Sequence, residues 1–274
     1  MPTPTTFPAP AALPVLHKYL KTASMAATAV AGDGLYAAAD YLIRFLHTAV
    51  LLALWRVIFA GRGEVAEMDL GTVLTYTLVA RAFSEQLQPR SGLEHAMWEG
   101  TVVSHFVRPM GIAGQFAAEM AGRWLPGLCL TALPLLLLAP LFGVDPRPAT
   151  PAGGLLFLPS LLLAISVGLA IDIIFCVLAV ALDTGVWLLQ HVRLAVGTLL
   201  SGAVLPLALL PWNLGQIFAW LPFAAMASAP LRIYTGTGDP LSLLLTQVGW
   251  SLLLWPLAGV LWRRQRERLA GYGG

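Results

Sequence analysis

Long apolar runs dominate the chain, and its polar residues fall in short groups between them. Six stretches read as membrane crossings: roughly Leu35–Ala60, Leu70–Gln88, Gly114–Gly143, Gly154–Leu182, Val192–Leu210 and Pro240–Trp262. A helix needs about 20 mostly apolar residues to cross the hydrocarbon layer. The last four stretches contain long charge-free runs; the first two are less clean. Arg44 and Arg56 bracket about eleven uncharged residues, a core of only about 16 Å at 1.5 Å per residue. Either these arginines snorkel toward opposite interfaces or part of the helix faces protein. Arg81 and Glu85 fall inside the second stretch.

Between the runs, four segments differ in character. Residues 1–14 are Pro/Thr/Ala-rich and uncharged, without the basic region and short apolar core of a cleaved signal, and are expected to form a disordered tail. Residues 15–34 place His17, Lys18 and Lys21 beside Leu16 and Tyr19, as in a helix lying along cytoplasmic headgroups. The segment 211–239 is apolar but broken by Pro211, Pro222 and Pro230 around Phe218, Trp220 and Phe223. Too short to cross and return, it is expected to dip into the outer leaflet as a pair of small helices. The transmembrane domain is expected over 35–268, with 269–274 as a C-terminal tail.

The fourth segment, 89–113, is expected on the cytoplasmic side. At 100° per residue Glu94, Thr101, His105 and Arg108 share one side, with Leu93, Met97, Val103, Phe106, Val107 and Met110 over the other. Gly100 marks a joint between two short helices, and Pro109 ends the second. Such a segment either lies passively at the interface or docks a cytoplasmic partner. Amphipathicity does not separate the two.

Composition strengthens the membrane reading. The chain is 58% hydrophobic and 11% charged, where soluble domains carry about 25% charged residues. Cys129 and Cys176 each sit in an apolar run and read as small buried hydrophobes. The basic residues are nearly all arginine, and with abundant Ala, Leu, Gly and Pro this fits a GC-rich bacterial source. With the N-terminus inside, most positive charge, including Arg263, Arg264, Arg266 and Arg268, falls on the cytoplasmic side. Only Arg56, Arg62, Arg147 and Arg232 fall outside. Both termini are thus expected in the cytoplasm of a bacterium, the chain passing many times through its inner membrane.

Signatures of enzyme chemistry are missing. There is no G-x-x-x-x-G-K-[ST] loop, no H-E-x-x-H and no G-x-S-x-G, and the five histidines are scattered. No catalytic residue, metal site or nucleic-acid partner is expected. Charged residues inside the runs are the remaining candidates. Asp172, deepest of them, serves either the pathway or a dimer interface, or hydrogen-bonds a nearby Ser or Thr on another helix. Arg81 and Glu85 stand i, i+4, as do Glu119 and Arg123, and can pair with each other. Asp183 and Arg193 read as markers of the inner interface.

Trp98-Glu99-Gly100-Thr101, followed by Arg108-Pro109, resembles the E-G-T…P signature of ABC-2-type permeases, the membrane subunits of ATP-binding-cassette exporters. Leu205-Pro206, Pro211, Leu221-Pro222-Phe223, Pro230 and Gly236 look like the proline pattern of one branch, which includes viologen and multidrug exporter subunits. Leu54-Trp55 and Tyr76 fit the same branch, and the resemblance covers roughly Leu35 to Arg268. It implies an all-α integral membrane fold of six transmembrane helices of the ABC-2 (type V) kind. A cytoplasmic coupling helix would lie between spans 2 and 3, and an external re-entrant hairpin with Pro211, Pro222, Phe223 and Pro230 between spans 5 and 6. Glu94, Trp98, Glu99, Gly100, Thr101, His105, Arg108 and Pro109 would form the contact with the ATPase. Arg81, Glu85 and Asp172 would face the pathway or a permease dimer.

The partners implied are two copies of an ATPase subunit, a second permease (identical or related), membrane lipid and a small hydrophobic, amphiphilic or cationic cargo. ATP and Mg would bind the ATPase, and this chain would carry no cofactor. The rival readings are a stand-alone secondary transporter or channel, a membrane enzyme, and a non-transporting scaffold.

Overall fold

The apolar runs become helices, as a computed structural model describing residues 12–32, 34–61, 64–65, 68–108 and 111–271 records. Two long helices come first, α1 (Ala12–Gly32) and α2 (Gly34–Phe59). A two-residue antiparallel ribbon, β1 (Glu64–Val65) and β2 (Met68–Asp69), pairs Glu64 with Asp69 and Val65 with Met68. This ribbon is a small departure from the expected all-α fold. Asp69 then caps α3 (Leu70–Ala82), accepting from Gly71 N at 2.9 Å.

The second expected span is not one helix. α3 runs for 13 residues, breaks at Phe83, and resumes as the single turn α4 (Ser84–Leu87). Eight residues of α3 are buried, so this helix is enclosed by protein, which explains its weaker lipid signature. Two short helices follow, α5 (Leu93–Trp98) and α6 (Val102–Val107). α7 (Ile112–Gly127) then passes through a π-helical turn (Leu128–Ala132) into α8 (Leu133–Leu138) and a 3-10 turn (Ala139–Phe142). Pro126 and Pro134 lack the N–H that an α-helix would bond to the preceding turn, and a π-turn is one way to absorb such a defect.

α9 (Pro151–Ala181) is the central helix. Thr150 caps it, accepting from Gly153 N at 2.9 Å, with Pro151 in the first turn, where no N–H is needed. In its most apolar window 56% of residues are buried, against 22%, 22% and 17% for Ala38–Phe59, Gly114–Phe142 and Pro240–Gln265. These four helices are long and apolar enough to cross a membrane, as in a multi-pass membrane protein. The three outer ones turn apolar surface outward. On α2 alone Leu42, Ile43, Leu46, Val50, Leu54 and Val57 are exposed, a face that lipid or another membrane chain covers.

The fifth expected span also ends early. α10 (Val186–Leu200) has 15 residues, about 22 Å at 1.5 Å per residue. Beyond Ser201 the chain turns through left-handed Gly202, whose carbonyl accepts from the buried Tyr76 hydroxyl at 2.8 Å. Ser201 O accepts from Ser228 N at 2.9 Å. The helix stops where tertiary donors replace its own. A 3-10 turn (Leu207–Leu209), α11 (Leu214–Ala219), α12 (Pro222–Met226) and α13 (Ser228–Thr235) lead to α14 (Pro240–Gly271). Pro211 is exposed, Pro222 starts α12 with Phe223 half-buried behind it, and Pro230 is buried in α13.

α14 runs alongside α9, held by one side-chain amide in an apolar setting. Gln247 Oε1 accepts from Ser160 Oγ at 2.8 Å, while its Nε2 donates to Ser160 O at 3.0 Å and Ala225 O at 2.8 Å. α1, the segment expected at the headgroups, packs against α7 at close range. A Cβ built on Gly122 would stand 2.0 Å from Ala23 O. Of the expected tail 1–14, residues 12–14 open α1 and the rest lie outside the described residues.

Candidate functional site: a buried polar node under the 91–108 segment

The segment leaves α4 at Gln88 and is rooted by its next residues. Pro89 lies flat on α9 because residue 168 is glycine; a Cβ there would stand 2.5 Å from Pro89 Cγ. Gly92 takes φ +87°, and its open face is covered by the Arg123 guanidinium, whose Nη2 would be 2.8 Å from a Cβ. Both features fix Ser91, which is 1% exposed.

Ser91 is bound from three sides. Its backbone N and hydroxyl both donate to Asp172 Oδ2 of α9, at 2.9 and 2.5 Å. Its carbonyl accepts from Arg123 Nη2 of α7 at 2.7 Å. Its hydroxyl oxygen also accepts from Leu93 N at 3.1 Å, opening α5. Asp172 is fully buried, and its second oxygen faces Arg193 Nη2 of α10 at 3.1 Å, a charge contact outside hydrogen-bond alignment. Arg193 Nε donates to Gln190 Oε1 at 2.7 Å, and Gln190 Nε2 donates to Cys176 Sγ at 3.0 Å. A lone buried carboxylate would be costly in this setting; the guanidinium and two Ser91 donors make it tolerable.

Two expectations change here. Arg193 does not merely mark an interface: it is 4% exposed and is the counter-ion of Asp172. Asp172 does bond a serine, but one in the connecting segment rather than on a neighbouring span. Glu94 also turns inward. Its carboxylate, that of Asp172 and the Cys176 thiol lie within 4.8 Å of one another. Arg193 compensates Asp172 and Gln190 donates to the thiol, whereas Glu94 Oε2 is buried without a hydrogen-bond partner among the described residues. Burial, and then the Asp172 charge, push the Glu94 carboxyl above the usual range, against the pull of Arg193, Arg90 and Arg123. Because the folded state holds this proton more tightly, Glu94 costs stability as pH rises from the ordinary glutamate range through its raised value. Glu94→Gln is expected to remove that pH-dependent loss, read as parallel unfolding midpoints of the two proteins below the window and a higher midpoint for the variant above it.

The second half of the segment is tied to α7. Glu119 Oε1 accepts from Arg108 Nη1 at 3.1 Å and faces His105 Nε2 at 3.5 Å. Gln115 Nε2 donates to His105 O at 3.1 Å, and the His105 ring stacks on Phe116 at 4.6 Å. Glu119 and Arg123, which could have paired with each other, therefore hold two different parts of the segment.

A single helical wheel over 93–110 fails because Gly100, at φ +69°, separates α5 from α6. Leu93, Ala96, Met97, Val102 and His105 face inward, whereas Trp98, Val103 and Val107 are exposed at 66%, 45% and 80%. His105 thus leaves the polar side assigned to it. Glu99 pairs with His95 at 3.0 Å, both largely in solvent, and Trp98 meets Trp187 edge to face at 6.0 Å. Thr101 is exposed, and Pro109 lies outside the described residues.

Arg81 and Glu85 do not pair. The break at Phe83 carries Glu85 out of helical register, and it meets Arg44 Nη1 at 2.8 Å; Arg44 Nε also bonds Asp40 at 2.7 Å. Arg44 therefore faces protein. Arg81 Nε is buried without a hydrogen-bond partner among the described residues. At the opposite end of the bundle an open cavity of about 800 Å3 lies between the 206–219 stretch, Tyr76 of α3 and Arg232 of α13.

Ser91, Gln190 and Arg193 went unsingled in the sequence as site residues. The one available signal was that Asp172 and Arg193 are opposite charges in successive apolar runs, each needing a partner. Compared with known proteins, the chain matches no protein-family model and no curated sequence.

Proposed function

We propose that the chain is the membrane-spanning permease subunit of an ATP-binding-cassette exporter, and that 91–108 is its lever. The observation carrying this reading is Ser91. One connecting residue is gripped by Arg123, by Asp172 and, through Asp172, by Arg193, so displacement of the segment reaches α7, α9 and α10 together. Trp98, Glu99, Val103 and Val107 stand outward on the same segment, as a docking surface requires. The four long helices, α3 with α4, and α10 with the stretch after it make six crossings on this reading. The basic end of α14 and the segment then face the cytoplasm of a bacterium, and 206–239 forms the external hairpin.

Two such permeases, identical or related, would pair with two ATPase subunits that bind ATP and Mg. ATP closes the ATPases, and its differential affinity for their closed form biases the membrane helices between two arrangements. Glu99, rather than the inward-turned Glu94, is the carboxylate available to basic residues of the ATPase. A hydrophobic or amphiphilic cargo fits better than a cationic one, since Arg193 already neutralises Asp172.

The test is purification from the native membrane followed by reconstitution. The chain is expected to carry an ATPase subunit in near-equal amount, and the complex to move cargo on ATP. Glu99→Arg should lower transport per ATP hydrolysed about tenfold, the equivalent of some 1.4 kcal/mol. Unchanged coupling in that variant, or transport driven by an ion gradient with no ATPase present, would overturn the reading.

A further inference from the structure

Beside the node, with Ser91 in its lining, an apolar cavity of about 380 Å3 lies between α7, α9 and α14. This volume falls within the range of about 300–1,000 Å3 typical of small-molecule pockets. Its walls are Phe116, Leu169, Ile173, Trp255 and Trp262. Trp255 is fixed by donating its Nε1 hydrogen to Ser166 Oγ at 2.9 Å, so that indole presents carbon surface and needs no polar partner from an occupant. The polar contributions are few. Ser91 spends its hydroxyl hydrogen on Asp172. Arg263, exposed and without an ion-pair partner among the described residues, is the one charged side chain in the lining.

We propose that this cavity binds a small aromatic anion, a fused-ring body of naphthalene size bearing a carboxylate or sulfonate. The rings would lie among Phe116, Trp255 and Trp262, where offset and edge contacts favour flat aromatic partners over a flexible chain. The acid group would meet the Arg263 guanidinium, which suits a planar oxyanion. Asp172 does not oppose this charge, being paired with Arg193 and screened behind Ser91.

The position gives occupancy a mechanical consequence. Phe116 stacks on His105 of α6, and Leu93, also in the lining, opens α5. An occupant therefore touches both halves of the 91–108 segment, and on the permease reading of the previous section it is a cargo site that reports its filling to the ATPase. The binding itself does not rest on that reading.

The probe is 6-bromo-2-naphthoate, whose bromine quenches nearby tryptophans, added to the full chain in phosphatidylcholine nanodiscs without ATPase or nucleotide. Saturable quenching is expected. Gly259 also lines the cavity, and a Cβ there meets nothing within 4 Å, so Gly259→Leu adds bulk to this space from a position where the first added carbon is free of contact. This variant should keep its near-ultraviolet dichroism and bind the probe at least about tenfold more weakly. Arg263→Gln should weaken the naphthoate but leave 2-bromonaphthalene unaffected. Quenching that rises linearly with probe and is equal in all three proteins means partition into the bilayer, and overturns the proposal. Quenching by dibrominated phosphatidylcholine that Gly259→Leu abolishes assigns the cavity to an acyl chain, and overturns it as well. Since no ATPase is present, failure here leaves the permease reading intact, and failure to find an ATPase leaves this result intact.

Discussion

Arg193→Met should destabilise the protein by about 3–5 kcal/mol, the usual cost of stranding one member of a buried ion pair. The stranded group is Asp172, fully buried, with Ser91 N and Oγ as its remaining donors. Adding Asp172→Asn should return most of that loss, because the charge disappears while an amide oxygen remains to accept from Ser91. The signature is therefore non-additivity: a coupling of about 2 kcal/mol or more in the double-mutant cycle, within the range for residues in contact. Denaturant unfolding in mild detergent, followed by tryptophan emission, measures it. Costs that simply add would mean that the two side chains do not share an environment. The stable double variant then has a second use. On the permease reading it retains the fold but loosens the grip of α10 on the segment, so transport per ATP should fall although stability is recovered.

Gly122→Val should release α1 from α7. The added Cβ would stand 2.0 Å from Ala23 O and 2.7 Å from its carbonyl carbon, and neither helix backbone can yield without moving the other. Overpacking of this kind costs about 1–3 kcal/mol, and a backbone collision belongs at the upper end. Hydrogen exchange should rise across 12–32 while α9, packed chiefly against α14, keeps its protection. Gly259→Ala is the matched control, since a Cβ there meets nothing within 4 Å, and it should be neutral or slightly stabilising through helix propensity. Unchanged exchange in α1 would show that it does not pack on α7.

Three long helices were legible to within about three residues at one end or both, although the last runs on past Trp262 to Gly271. The runs Gly114–Gly143, Gly154–Leu182 and Pro240–Trp262 match helical stretches ending at Phe142, beginning at Pro151 and beginning at Pro240. Charge-free length identifies them because each presents or buries apolar side chains all round. The runs at 70–88 and 192–210 are equally apolar in places, yet neither is one long helix. Their ends are set by partners far along the chain: α10 stops where Ser228 N and the Tyr76 hydroxyl take the carbonyls of Ser201 and Gly202. No local pattern carries that information.

The candidate site divides in the same way. Gly100 was readable as a joint because a helix tolerates glycine poorly and a left-handed turn favours it. Which faces of α5 and α6 turn inward was not, since that joint resets the helical phase. Spacing made Arg81 with Glu85 and Glu119 with Arg123 natural pairs, but Glu85 goes to Arg44 and Glu119 to Arg108.

What the sequence determined by itself is the solvent and the element type: a chain so apolar forms helices whose surfaces face lipid or one another, because unpaired backbone amides are prohibitive there. Only the tertiary structure decided the pairing of charges. A buried ion takes the nearest counter-charge in space, and helix packing sets that distance. Ser91, Asp172 and Arg193, more than a hundred residues apart from first to last, became neighbours through the packing of the 91–108 segment on α9 and α10 and not through any spacing along the chain.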